Sequence, residues 1–152
     1  MSDFVTSDTH FGHKNIVEGV SDWANKVYCR PFNTIKDHDN FLIDKINEKV
    51  GPHDTLWHLG DFGFGPNKIE RFVELRARIN CGTINLILGN HDDIFLDKKK
   101  NEQLLRGFNM VKLIHMGRVY GRYMVFCHYA MRTWPWQNDH SIQLYGHSHG
   151  NL

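Results

Sequence analysis

Five times along the 152-residue chain, an apolar stretch of strand length runs directly into Asp, Asn or His. The junctions are Asp8-Thr9-His10, Gly60-Asp61, Gly89-Asn90-His91-Asp92, His128 and Gly146-His147-Ser148-His149. The apolar stretches before them are Phe4 to Ser7, Thr55 to Leu59, Ile84 to Leu88, Val119 to His128 and Ile142 to Tyr145. This constrains the fold more than any other feature of the sequence. In open α/β sheets, the loops leaving the C-terminal ends of strands meet in one crevice, so distant segments can share a site. One histidine after a strand is usually structural. Five such junctions in one chain point to a common centre.

The stretches between the strands read as helix and loop. Thr34 to Val50 has a Thr34/Asp37 variant of the capping box and an apolar face of Ile35, Phe41, Leu42 and Ile46. Gly51 and Pro52 end it. Pro66 and Asn67 open a second helix, with Asn67 and Glu70 at capping-box spacing and Ile69, Phe72, Val73 and Ile79 facing the core. A short helix is predicted at 102–108, and 11–32 reads as a loop with one helical turn near Asn15 to Val20. Val111 to Met116 and Val119 to His128 read as strands joined by a turn at Gly117-Arg118. Strands alternating with helices, then pairing locally, imply an α/β layered fold.

Composition narrows the function classes. Apolar residues make up 41% and charged residues 23% of the 17.8 kDa chain, and the formal net charge is +1. That balance argues against wrapping long nucleic acid by bulk electrostatics, though a nucleotide or strand end stays open as substrate. No run reaches the roughly 18 apolar residues of a membrane span. The N-terminus lacks the basic and apolar regions of a signal peptide. Cys29, Cys81 and Cys127 form no zinc-binding or disulfide spacing, which fits a reducing cytoplasm.

The junctions supply carboxylate, amide oxygen and imidazole together. Mixed nitrogen and oxygen donors suit Mn²⁺, Fe, Zn²⁺ or Ni²⁺ and suit a lone Ca²⁺ poorly. Asp8 and His10 lie two apart, and on an extended segment they would point the same way. His147 and His149 share that spacing and need a turn if they serve different ions. Glycines before Asp61, Asn90 and His147 allow sharp turns and close backbone approach.

The motif order Asp-x-His, Gly-Asp, Gly-Asn-His-Asp, lone His and Gly-His-x-His resembles the calcineurin-like metallophosphoesterases, especially their small prokaryotic and phage members. SDTHFGH, WHLGDF, LILGNHDD and YGHSHG carry the resemblance from residue 8 to residue 149. It implies a single domain over 1–152, built as a calcineurin-like β-sandwich of two mixed sheets flanked by helices, a four-layer α-β-β-α arrangement. It also implies two divalent ions about 3.5 Å apart. Asp8, His10 and His149 would hold one ion, Asn90, His128 and His147 the other, and Asp61 would bridge both together with a water or hydroxide. His91 would lie beside the leaving group and supply a proton or hydrogen bond.

Two features depart from the family pattern. The second Asp and the Arg that many members carry after the bridging Asp are absent from Gly60-Asp61-Phe62-Gly63-Phe64-Gly65. That removes the usual partner of His91 and weakens a protein-phosphatase reading. The chain also stops three residues after His149, where members continue with a strand and tail.

Other residues are weaker candidates. His13 either faces phosphate or caps a loop. His58 reads as structural, and His38, His53, His115 and His140 as surface. Arg132 can grip phosphate, and Trp134 and Trp136 either stack on a base or pack their loop. Lys98 to Lys100 read as a solvated turn. The expected substrate is a small phosphoester, nucleotides included, handled by a phosphodiesterase or phosphomonoesterase. The alternatives are a nuclease or nucleic-acid end-processing enzyme, and a non-catalytic scaffold.

Overall fold

A computed structural model describes residues 1–65, 68–97 and 101–151. The expected helix opening at Pro66-Asn67 and the lysine turn at 98–100 lie outside the described residues. Four strands, β1 (Asp3–Thr6), β2 (Thr55–His58), β3 (Thr83–Ile87) and β4 (Met110–Lys112), form one wholly parallel sheet in the order β1-β2-β3-β4. The crossovers carry α1 (Ile35–Lys49), α2 (Lys68–Arg78) and the short α3 (Glu102–Leu105). A second sheet has the order β5-β6-β7, from β5 (Ile114–Val119), β6 (Arg122–Cys127) and β7 (Ile142–Leu144). In it β5 runs antiparallel and β7 parallel to β6.

Alternation along the parallel strands explains the layers. Leu56, Ile84, Leu86 and Leu88 pack on one face with Ile43 of α1, Phe72 and Leu75 of α2 and Leu104 of α3. Trp57 and Ile87 point the other way and meet Phe126 of the second sheet, where Trp57 stacks on Phe126 at 4.3 Å. The result is three layers: helices, parallel sheet, three-stranded sheet. This corrects the expected four-layer sandwich of two mixed sheets. The first sheet is parallel throughout, and the α-helices among the described residues all precede β4. After it, β5 and β6 form a hairpin, and the crossover to β7 contains only a 3₁₀ turn (Gln137–Asp139), so this part of the chain supplies no fourth layer. No helix among the described residues is long and apolar enough to cross a membrane.

Local chemistry sets the element ends. Thr34 Oγ1 accepts from Asp37 N at 3.1 Å and donates to the Asp37 carboxylate at 2.7 Å, closing the N-terminus of α1. Phe41, expected in the core, is 46% exposed and rests on Phe32, whereas His38 and Asp39 are buried. Those two polar residues occupy the helical stripe that runs on through Leu42, Ile43 and Ile46. The expected strand 111–116 is divided around Leu113 between the two sheets. The hairpin turn falls at Tyr120-Gly121 rather than Gly117-Arg118. Both turn residues have positive φ, 50° and 78°. A two-residue loop of that kind matches the right-handed twist of its strands.

Candidate metal centre

The C-terminal ends of β1, β2, β3, β6 and β7 lead into the five junctions, and their side chains converge. Asp8, His10 and His149 bring one donor atom each within 4.8 Å of one another. So do Asp61, His128 and His147, and so do His10, Asp61 and His91. His149 Nε2 lies 3.2 Å from both Asp8 Oδ1 and His10 Nε2. Asp61 stands between the groups. Its Oδ1 accepts from His91 N at 3.0 Å, leaving Oδ2 facing His10 Nε2 at 3.7 Å and His128 Nε2 at 3.4 Å. Asn90 is exposed in the loop between Gly89 and His91.

The backbone is bent to achieve this. Asp8, His10, Asp61, His147 and His149 have φ between 49° and 67°. Non-glycine residues rarely take that conformation, and residues held in it cluster at binding and active sites of proteins in general. Asp8 and His10 therefore converge from left-handed positions, not along an extended strand as expected. His147 and His149 diverge through a turn and join different clusters. A Cβ at Gly60 would sit 2.5 Å from His128 Nδ1, and one at Gly89 would collide with the Asp61 carboxylate. These glycines make room for donor side chains.

Protonation suits ligation. His128 Nδ1 donates to Leu59 O at 2.7 Å, which leaves the lone pair on Nε2. Among the described residues that buried Nε2 has no well-formed hydrogen bond, and its nearest acceptor is Asp61 Oδ2 at 3.4 Å. Such an atom is costly unless something binds it. Burial opposes a charge on His128, but the adjacent Asp61 carboxylate outweighs burial and raises its pKa. Burial likewise opposes ionisation of Asp61, and His128 together with the His91 amide holds it down to about 2. Burial lowers His10 to about 3, so its imidazole is neutral at pH 7. Anionic Asp61 and neutral His10 fit a divalent cation, which at His128 Nε2 would take the place of the proton that Asp61 favours.

The structure also settles the contacts of residues whose places the sequence left open. Asp92 accepts from Asp61 N, Phe62 N and Gly89 N at 2.7, 2.9 and 2.8 Å, joining two junction loops. Burial pushes its carboxyl up to about 6, against donors that favour the anion. His38, expected at the surface, is fully buried, and His115 packs on Trp57 at 5.1 Å. Trp23 and Phe64, 43% and 38% exposed, lie against His13 at 6.0 and 4.5 Å, while Tyr129 lies against His147 at 4.9 Å. His13 itself touches His10, Nδ1 to Nδ1 at 3.3 Å. Arg132 is exposed and makes no hydrogen bond or ion pair with the cluster among the described residues. Trp134 donates to Ser141 Oγ, and Trp136 stacks on Tyr123 at 4.7 Å. Both tryptophans pack the loop.

His58 lies beneath the centre. Thr9 Oγ1 donates to Phe62 O at 2.7 Å, so it accepts from His58 Nε2 at 2.9 Å. Burial holds His58 down to about 4 from 6.5. The unfolded chain therefore binds this proton first, and stability falls as pH drops through 6.5 toward 4. Between pH 7 and 5 this one group contributes a loss of about 2 kcal/mol. Asp92 acts in the opposite direction, so the measurement is a difference. Urea melts of chelator-treated wild type and His58→Gln should show the flatter pH dependence in the variant. Parallel profiles would refute the assignment.

No family model matches the chain. It is 37% identical over 90 residues to an uncharacterized protein of Methanocaldococcus jannaschii, covering 59% of this chain and 46% of that protein. It is 36% identical over 87 residues to the Gene 66 proteins of two Mycobacterium phages, covering 57% of this chain and 38% of each. The aligned region is thus less than half the length of these relatives. A protein of unknown function from Aquifex aeolicus aligns in structure with a TM-score of 0.64 and 21% identity, over 97% of this chain and 79% of that one. That likeness concerns the fold alone.

Proposed function

We propose that the chain is a phosphoester hydrolase working with two divalent ions, drawn from Mn²⁺, Fe, Zn²⁺ and Ni²⁺. The observation that carries this reading is the set of three donor clusters linked through His10 and Asp61, with Asp61 Oδ2 facing both His10 and His128. Asp8, His10 and His149 would hold one ion and Asn90, His128 and His147 the other, with Asp61 common to both. When bound, such ions lower the pKa of a shared water and offset charge on the phosphoryl oxygens. The motif order, resembling the calcineurin-like metallophosphoesterases, supports the same chemistry on a three-layer chain. His91, close to Asp61 and His10, would deliver a proton to the leaving oxygen, and Asp92 would keep the Asp61 and Asn90 loops in register. A reducing cytoplasm is the proposed setting for the three free thiols.

The exposed rings of Trp23, Phe64 and Tyr129 around the histidines favour substrates with a stacking group. With a net charge of +1, this suits a nucleotide or strand end better than a long nucleic acid. The test is a metal count together with turnover. Chelator-stripped protein should bind two Mn²⁺ per chain and recover hydrolysis of aryl phosphate esters and nucleotides. Two bound ions with no turnover on mono- and diesters, cyclic nucleotides or short DNA and RNA would indicate a scaffold. A single ion bound without His128 would refute the shared centre.

A further inference from the structure

The loop from Asp8 to Gly12 carries two of the proposed ligands in left-handed conformations, so it must be held from outside. One side is held by backbone: Asp8, His10 and Phe11 donate to Gly60, Asp61 and Phe62 carbonyls at 2.9, 2.9 and 3.0 Å. The other side is held by side chains. Arg30 Nη1 donates to Thr9 O at 2.9 Å, and Nη2 donates to Asp8 O. Nη1 also contacts His38 Nε2 at 2.7 Å. Arginine can only donate, so Nε2 accepts and Nδ1 carries the proton. That Nδ1 donates to Asp39 Oδ1 at 2.9 Å. Asp39 also accepts from Gly12 N at 3.2 Å and from Arg71 Nη2 at 2.6 Å. The chain of contacts grips the loop at Asp8 O, Thr9 O and Gly12 N. His38 and Asp39 are 0% and 3% exposed, so the middle of the network is interior, while Arg30 and Arg71 are half-buried at its ends.

We propose that Arg30, backed by His38, Asp39 and Arg71, is a positioning clamp that sets the affinity of the ion held by Asp8, His10 and His149. This rests on the metal reading above. The clamp can be separated from a mere charge by sign. A guanidinium near a cation repels it, so as a charge alone its removal would tighten metal binding. As a clamp its removal weakens binding, because Asp8 and His10 lose their fixed directions. Changes in groups that orient metal ligands typically cost about 10- to 100-fold in affinity.

The experiment is a Mn²⁺ titration of the chelator-stripped full chain without substrate, followed by calorimetry and electron paramagnetic resonance. Arg30→Met should weaken one of two ions by about 10- to 100-fold and spare the other. At two equivalents it should show an isolated Mn²⁺ signal where wild type shows a coupled pair. Arg30→Lys keeps the charge but loses the planar fork, and should behave like Arg30→Met. Added guanidinium should partly restore Arg30→Met. Arg71→Met, at the far end of the network, should weaken the same ion less, and it carries the test if Arg30→Met fails to fold. Tighter binding in Arg30→Met, wild-type binding in Arg30→Lys, or equal weakening of both ions with a lowered Tm would each overturn the clamp. Wild type binding two ions, with the variants unchanged, removes the clamp alone. Wild type binding none removes the metal centre and the clamp together.

Discussion

Asp61→Asn is expected to cut turnover by about 10³-fold or more while leaving the fold standing. Asp61 is 2% exposed, and its two oxygens have different tasks. Oδ1 accepts from the His91 amide, and Oδ2 faces His10 and His128. An asparagine can keep the first contact through its carbonyl. Its amide nitrogen then replaces Oδ2, a donor where a metal-binding acceptor is needed, and the negative charge between the clusters is lost. His128 Nε2 can accept from that amide, so the apo fold keeps a satisfied interior. The check is kcat at saturating Mn²⁺ alongside a metal count and a thermal melt. The variant should melt cooperatively, lose the coupled ion pair and turn over at background. Near-normal kcat at saturating metal would show that Asp61 is not the shared ligand.

His91→Ala should lose activity in a way that depends on the leaving group. The loss is expected to reach about 10²- to 10⁴-fold for esters of alcohols and ribose, and to be much smaller for nitrophenyl esters. An alkoxide needs a proton as the P–O bond breaks, and nitrophenolate leaves without one. The structure sharpens the test, because His91 also groups with His10 and Asp61 as a possible metal-binding set. The measurement is kcat for both proteins on esters of rising leaving-group pKa, with chemistry rate-limiting and metal occupancy checked. A steeper dependence in the variant supports proton donation. Equal slopes with a uniform loss would assign His91 to phosphate positioning. Loss of a bound ion would make it a ligand.

Much of the centre was legible in the chain itself because its chemistry is local. An apolar run ending in Asp8, Asp61 or His128 announces a strand end, and donor residues at strand ends need no tertiary information to be recognised. The capped helix at Thr34 was equally readable, since its cap and stop are made by near neighbours. Arg30 and His38 were not. Arg30 sits in a loop with no periodic signal, and His38 is a polar residue within the apolar stripe of α1, where side-chain type alone suggests the surface. Their value comes from contacts with residues far along the chain, which no spacing encodes.

The sequence by itself determined the alternation of strand and helix, the donor residues and their order. Tertiary structure alone decided the layers and the backbone turns that bring the donor side chains together. Periodicity reports which face of an element is apolar, but not what covers it, so it could not show that helices back only the parallel sheet. Residue spacing along the chain does not set direction in space. Left-handed turns at Asp8, His10, His147 and His149 assign neighbouring histidines to different clusters. Those turns hold because the packed loops around them supply the hydrogen bonds that an isolated segment would lack.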